Sequence, residues 1–196
     1  VTASNRAAAA MSVLAVLATA AALGIPTAFA QPPTFPDLSE FTEIAQDSPI
    51  FTTNRIGGYD AVFATPDGLH CAAAAADSQS CQTTKAGEMP GFPSNAPHQD
   101  LSPCGPVAES VNSSDSGSEF VYTRNCESTA ASPVLQPGQK VTVVKTVSCT
   151  IGDYQIPNCT PGVHGKATCA VGANRLTACT NGKHGFVIQS SGSWTF

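Results

Sequence analysis

Charge is scarce in this chain. Only 12% of its 196 residues are Asp, Glu, Lys or Arg, about half the usual share. Nine basic residues stand against fourteen acidic ones. That balance gives no basic footprint for nucleic acid or an anionic lipid surface. Aromatic residues make up 7%, with one tryptophan. There is no C-x-x-C pair, so the short thiolate spacing of structural zinc sites is missing. G-x-S-x-G, H-E-x-x-H and S-x-x-K are also absent, which leaves the common nucleophile and zinc-hydrolase signatures unrepresented. No segment after Gln46 sustains a helical period. A helical bundle is thereby excluded.

What is present begins with a leader. Arg6 precedes an apolar, alanine-rich run from Ala7 to Leu23, and Ala28-Phe29-Ala30 stands before Gln31. A basic start, an apolar run and an A-x-A site describe a secretory signal peptide cut between Ala30 and Gln31. Gly24 and Pro26 interrupt the run and no stop-transfer charges follow, so no stable membrane anchor is expected after cleavage. No cysteine lies near the cut and no twin-arginine pair is present. The organisation expected is a signal peptide at 1–30, an extended N-terminal segment at 31–58, and a β-rich, disulfide-stapled domain at 59–196. Its location is extracellular, either secreted or associated with the cell envelope. Without Arg6 the chain carries 8 basic and 14 acidic residues, a net charge of −6.

Sixteen glycines and fifteen prolines favour a turn-rich β-fold. Asp37 to Glu40 suits one or two helical turns, with Leu38, Phe41 and Ile44 on one side. Strands are expected at Ala61-Val62-Phe63, Phe120 to Arg124, Lys140 to Ser148, Gly185 to Gln189 and Ser193 to Phe196. In the third of these, Val141, Val143 and Val147 alternate with polar residues, the period of a half-buried strand. Gly57-Gly58 reads as a break, Thr65-Pro66-Asp67-Gly68 and Gln136 to Gln139 as turns. Met89 to Pro97 and Asn112 to Glu119 read as irregular or polar surface loops. The fold class is mostly β: disulfide-stapled hairpins forming a small sandwich or barrel-like domain, with at most one short helix near the mature N-terminus.

Eight cysteines in an exported chain imply a disulfide framework. Cys149 to Gly165 and Cys169 to Gly185 share the pattern C-[TA]-[IV]-G-x-x-x-[IL]-x-x-C-T-x-G-x-H-G, a duplicated hairpin unit over 149–185. The ten-residue cysteine step recurs at Cys71 and Cys81. Three residues, a three-residue turn and three residues place such cysteines opposite each other. The expected pairs are Cys71–Cys81, Cys149–Cys159 and Cys169–Cys179, with Cys104–Cys126 by elimination. The competing arrangement exchanges partners as Cys149–Cys179 and Cys159–Cys169.

With all thiols paired, no cysteine nucleophile remains, and no catalytic residue, metal ligand or cofactor is assigned. His164 and His184 occupy equivalent repeat positions, so a metal or small-ligand site would require them to converge. His70 and His98 have no partner visible in the sequence. A carboxylate-dependent hydrolase acting on envelope glycans would require convergent acids from Asp60, Asp67, Asp77, Glu40 or Glu43.

Four stretches recur together: PDLSEFT at Pro36 to Thr42, FATPDGLHC at Phe63 to Cys71, PGFP at Pro90 to Pro93, and CTNGKHGF at Cys179 to Phe186. In these the chain resembles small exported proteins of mycobacteria and related actinobacteria, which share an F-x-[ST]-P-[DS]-G…C start and a final C…C-x-N…GxGF segment. The extra unit Cys149 to Gly165 departs from that frame. The resemblance implies export and a stapled β-domain, and carries no catalytic residues across. The expected function is an interaction or structural module outside the cell, with cell-wall components or another envelope protein as partners.

Overall fold

The computed structural model describes residues 34–53, 59–74, 78–99, 104–125, 131–147, 149–151, 154–155 and 157–196. The signal segment with Ala28, Ala30 and Gln31, the Gly57-Gly58 break, Asp77 and Cys126 lie outside the described residues. Among the described residues the single helical turn is a 3₁₀ piece, Leu38–Glu40, capped by Asp37, and the other regular elements are strands. In chain order these are β1 Thr42–Glu43, β2 Phe51–Thr53, β3 Tyr59–Ala64, β4 His70–Ala74, β5 Ser78–Gln82, β6 Val107–Ser114 and β7 Gly117–Arg124. Then follow β8 Gln139–Val147, β9 Thr150–Ile151, β10 Tyr154–Gln155, β11 Gly162–Val171, β12 Thr177–Thr180, β13 Gly185–Ile188 and β14 Trp194–Thr195.

The strands form two six-stranded sheets and one small hairpin. One sheet runs β2-β3-β4-β5-β6-β7, and the other β1-β8-β11-β12-β13-β14. In each, neighbouring strands pair antiparallel, except that β1 joins β8 in parallel. Local chemistry sets the turns. Between β3 and β4 the Thr65 hydroxyl donates to Asp67 at 2.5 Å, the Leu69 N–H donates back to Thr65 at 3.1 Å, and Gly68 takes φ +89°. Glycine reaches that conformation without the Cβ clash that other residues meet.

Two of the cysteine pairs sit at the middle of the two large sheets. Cross-strand register places Phe63, Cys71, Cys81, Val111 and Phe120 in one row across the N-terminal sheet. The other sheet carries the row Val141, Cys169, Cys179 and Phe186. All nine side chains are buried and belong to one hydrophobic cluster. Strand β11 packs on β4 and β5, and β3 on β8, so the two disulfides lie in the shared core of a sandwich. Cys71–Cys81 and Cys169–Cys179 both span 4.1 Å between Cα atoms. The expected three-three-three spacing holds in the β11–β12 hairpin. There Gly172 N–H donates to Leu176 O at 2.8 Å, closing a turn at 173–175 in which Asn174 and Arg175 adopt φ of 57° and 62°.

Two expectations differ from the structure. Asn112 to Glu119 is not a surface loop. It is the tip of a long hairpin, with Ser114 paired to Gly117 and the Ser118 hydroxyl donating to Ser113 at 2.8 Å. The duplicated sequence unit also has unequal halves. Cys149–Cys159 closes the small β9–β10 hairpin, outside both large sheets, with a Cα separation of 5.5 Å. The spatial counterpart of Cys169–Cys179 is Cys71–Cys81. Cys104 is disulfide-bonded as well, and its expected partner Cys126 is outside the described residues.

Candidate functional site

The outer face of the C-terminal sheet is built on the residues between the cysteine positions. Strand alternation turns Cys169 inward and Lys166 and Thr168 outward. Register then aligns Thr142 of β8, Thr168 of β11 and Thr180 of β12 in one row. The N-terminal segment supplies a second wall. Thr42 N–H donates to Gly138 O at 2.9 Å and Ile44 N–H to Lys140 O at 3.0 Å, which holds β1 against β8. Phe35 packs edge-on against Phe196 with centroids 5.1 Å apart. Between the two walls lies a pocket of about 470 Å³, bordered by Phe35, Asp37, Glu43, Lys140, Thr142, Lys166, Thr168 and Thr180.

Its polar groups are organised rather than scattered. Lys140 Nζ donates to Leu38 O at 2.7 Å, tying the segment to the sheet. Asp37 is held below the usual aspartate range, because the Ser39 backbone N–H and hydroxyl donate to it and the Lys140 ammonium attracts it. Thr142 donates to Glu43 Oε2 at 2.9 Å, and its hydroxyl lies 3.3 Å from that of Thr168. A carboxylate only accepts, so the proton order runs Thr168 to Thr142 to Glu43. Thr168, 7% exposed, therefore has oxygen lone pairs left for a ligand. The Lys166 side chain is exposed and makes no hydrogen bond or ion pair among the described residues.

A second concavity of about 540 Å³ lies on the N-terminal sheet, floored by Ala72, Ser78, Ser80, Asn112 and Ser114. Among the described residues Glu119 is the one charged group on its rim, and no aromatic borders it. It offers a ligand much less chemistry.

The residues singled out from the sequence go elsewhere. His164 Nε2 lies 2.5 Å from Thr160 O, and His184 Nδ1 lies 3.3 Å from Phe196 O; each is tied to its own backbone neighbourhood. His98 stacks on Tyr122 at 4.6 Å. Among the described residues no three His, Cys, Asp or Glu side chains gather into a metal site. Asp67 is taken up by Arg175, whose Nε lies 3.2 Å away while Nη2 donates to Glu88 O at 3.2 Å. That clamp joins the β11–β12 turn to the β3–β4 turn. Of the described acids considered from the sequence, only Glu43 borders the pocket. It is joined there by Asp37, which sequence reasoning assigned to a cap alone. Glu109, missed entirely, is 4% exposed and accepts the Met89 N–H at 2.7 Å, where it holds the chain after β5 in place.

No protein-family model, curated protein or solved structure matches this chain. Chemistry must therefore decide what the pocket can do. Hydrolysis by paired carboxylates needs one acid that keeps its proton near neutral pH. Asp37 is moved in the opposite direction, so it is not that acid. The pocket offers acceptors, a lysine side chain unpaired among the described residues and the ring of Phe35.

Proposed function

We propose that the protein is an exported module that holds a polar, glycan-type ligand of the cell envelope without cleaving it. One observation carries this reading: the pocket between segment 35–43 and the threonine row combines the aromatic ring of Phe35 with the hydrogen-bonding groups of Glu43, Lys140, Thr142 and Thr168. The leader sequence, the disulfides and the resemblance to exported actinobacterial proteins support an oxidising compartment outside the cytoplasm. An aromatic wall covers the apolar face of a sugar, and hydroxyl and carboxylate acceptors satisfy its hydroxyl groups.

The direct test is incubation of purified protein with cell-wall glycans. Retention on the insoluble glycan, with no new reducing ends released, is the expected result. Release of reducing ends that stops in Glu43→Gln would instead establish a carboxylate hydrolase.

A further inference from the structure

We infer that the pocket is selective for a sugar acid, an oligosaccharide unit carrying a carboxylate; this rests on the glycan-binding reading above. The argument comes from which polar groups remain unsatisfied. Lys140 spends one of its three donors on Leu38 O and keeps its charge, while the single hydroxyl proton of Thr142 goes to Glu43. Two kinds of group remain open, ammonium donors on Lys140 and Lys166 and a hydroxyl acceptor on Thr168. Thr168 has acceptor capacity only, fixed by the proton order that ends on Glu43. Lys166 presents an ammonium with no partner among the described residues. Both project from β11, two residues apart on the same outward face. A ligand satisfying both must offer a hydroxyl donor beside an anionic group. Phe35 on the same pocket requires an apolar ring face as well.

Glu43 and Asp37 narrow the anion. They border the pocket as carboxylates beside the ammonium groups of Lys140 and Lys166, so a phosphate-dense or sulfated chain would meet more repulsion than a single carboxylate, which the two lysines can offset. An uncharged glycan, by contrast, would leave Lys166 without a counter-charge. A polyol with one carboxylate per ring answers both conditions.

The experiment compares galacturonic acid, with one carboxylate, with its methyl ester by titration calorimetry, on wild type and on Lys166→Gln. Lys166 is exposed, so the variant keeps the fold. An ion pair to an exposed lysine is modest, so the wild type should favour the acid by about twofold to fivefold. That preference disappears in Lys166→Gln and weakens as salt rises. Equal binding of acid and ester by the wild type overturns the inference, and so does a preference that survives in Lys166→Gln. If neither sugar binds while cell-wall glycan is still retained, the sugar-acid selectivity fails and the glycan-binding reading stands. Loss of retention on every glycan would remove both.

Discussion

At the scale of single residues, the C-terminal end shows how closely the chain is fitted. Gly185 opens β13, and a Cβ there would overlap the Cys179 carbonyl oxygen and the Phe196 ring. The backbone atom cannot move aside as a side-chain tip would. Gly185→Ala is expected to cost about 1–3 kcal/mol, as overpacking does, read as a lower urea midpoint with an unchanged slope. Stability equal to wild type would show that the edge of the sheet relaxes freely. Asp37 gives a prediction about pH. Its folded-state pKa is lowered, so its stabilising contacts with Ser39 and Lys140 are complete at neutral pH and are lost as pH falls through that value. Carboxyl NMR should give Asp37 a midpoint below the unperturbed 3.8. A midpoint at or above 3.8 would contradict the cap and with it the described position of the pocket wall. The sequence around Asp37 shows a cap, because capping is local. It does not show that the capped turn borders a pocket. Glu109 is illegible for the same reason: its partner, Met89, is twenty residues away.

Among elements, the cysteine step is the strongest signal, since a hairpin converts fixed sequence spacing into fixed cross-strand distance. The same spacing does not say where a hairpin lies. Cys149–Cys159 and Cys169–Cys179 look alike in sequence, yet only the latter is inside the sandwich. Pro157 in the second arm of the former removes a backbone donor that a central strand would use. The hairpin tip at Asn112 to Glu119 reads as a loop because its composition is polar throughout. Cross-strand pairing, including Ser118 to Ser113, satisfies those side chains within the sheet. The two cysteine hairpins therefore make different energetic predictions. Both loops have the same sequence separation of 10, so loop closure alone gives each about 3 kcal/mol. Replacing Cys169 and Cys179 by alanine also removes sulfur from a fully buried row, which adds a cavity term. Denaturant unfolding should show the larger loss for Cys169→Ala/Cys179→Ala and the smaller for Cys149→Ala/Cys159→Ala. Equal losses would mean that the inner disulfide contributes no packing.

The whole molecule joins these parts through long-range contacts, of which the Glu43–Thr142 hydrogen bond is one. Glu43 and Thr142 are 99 residues apart in sequence, and two parallel pairings between β1 and β8 bring them together. A two-residue strand leaves almost no sequence signature, which is why the β-sandwich can be anticipated and its pocket cannot. The sheet contributes the threonine row and Lys166, while the segment before β2 contributes Phe35, Asp37 and Glu43. The protein is a disulfide-stapled scaffold, and the proposed binding site lies at the seam between its N-terminal segment and one sheet. The most direct test is an ¹⁵N NMR titration with soluble cell-wall glycan fragments, followed by a scan for new reducing ends in the same sample. Shifts concentrated at Glu43, Thr142, Lys166 and Thr168, with the glycan intact, are the predicted result. Shifts confined to the Ala72, Ser80 and Asn112 face, or a cleaved glycan, would contradict it.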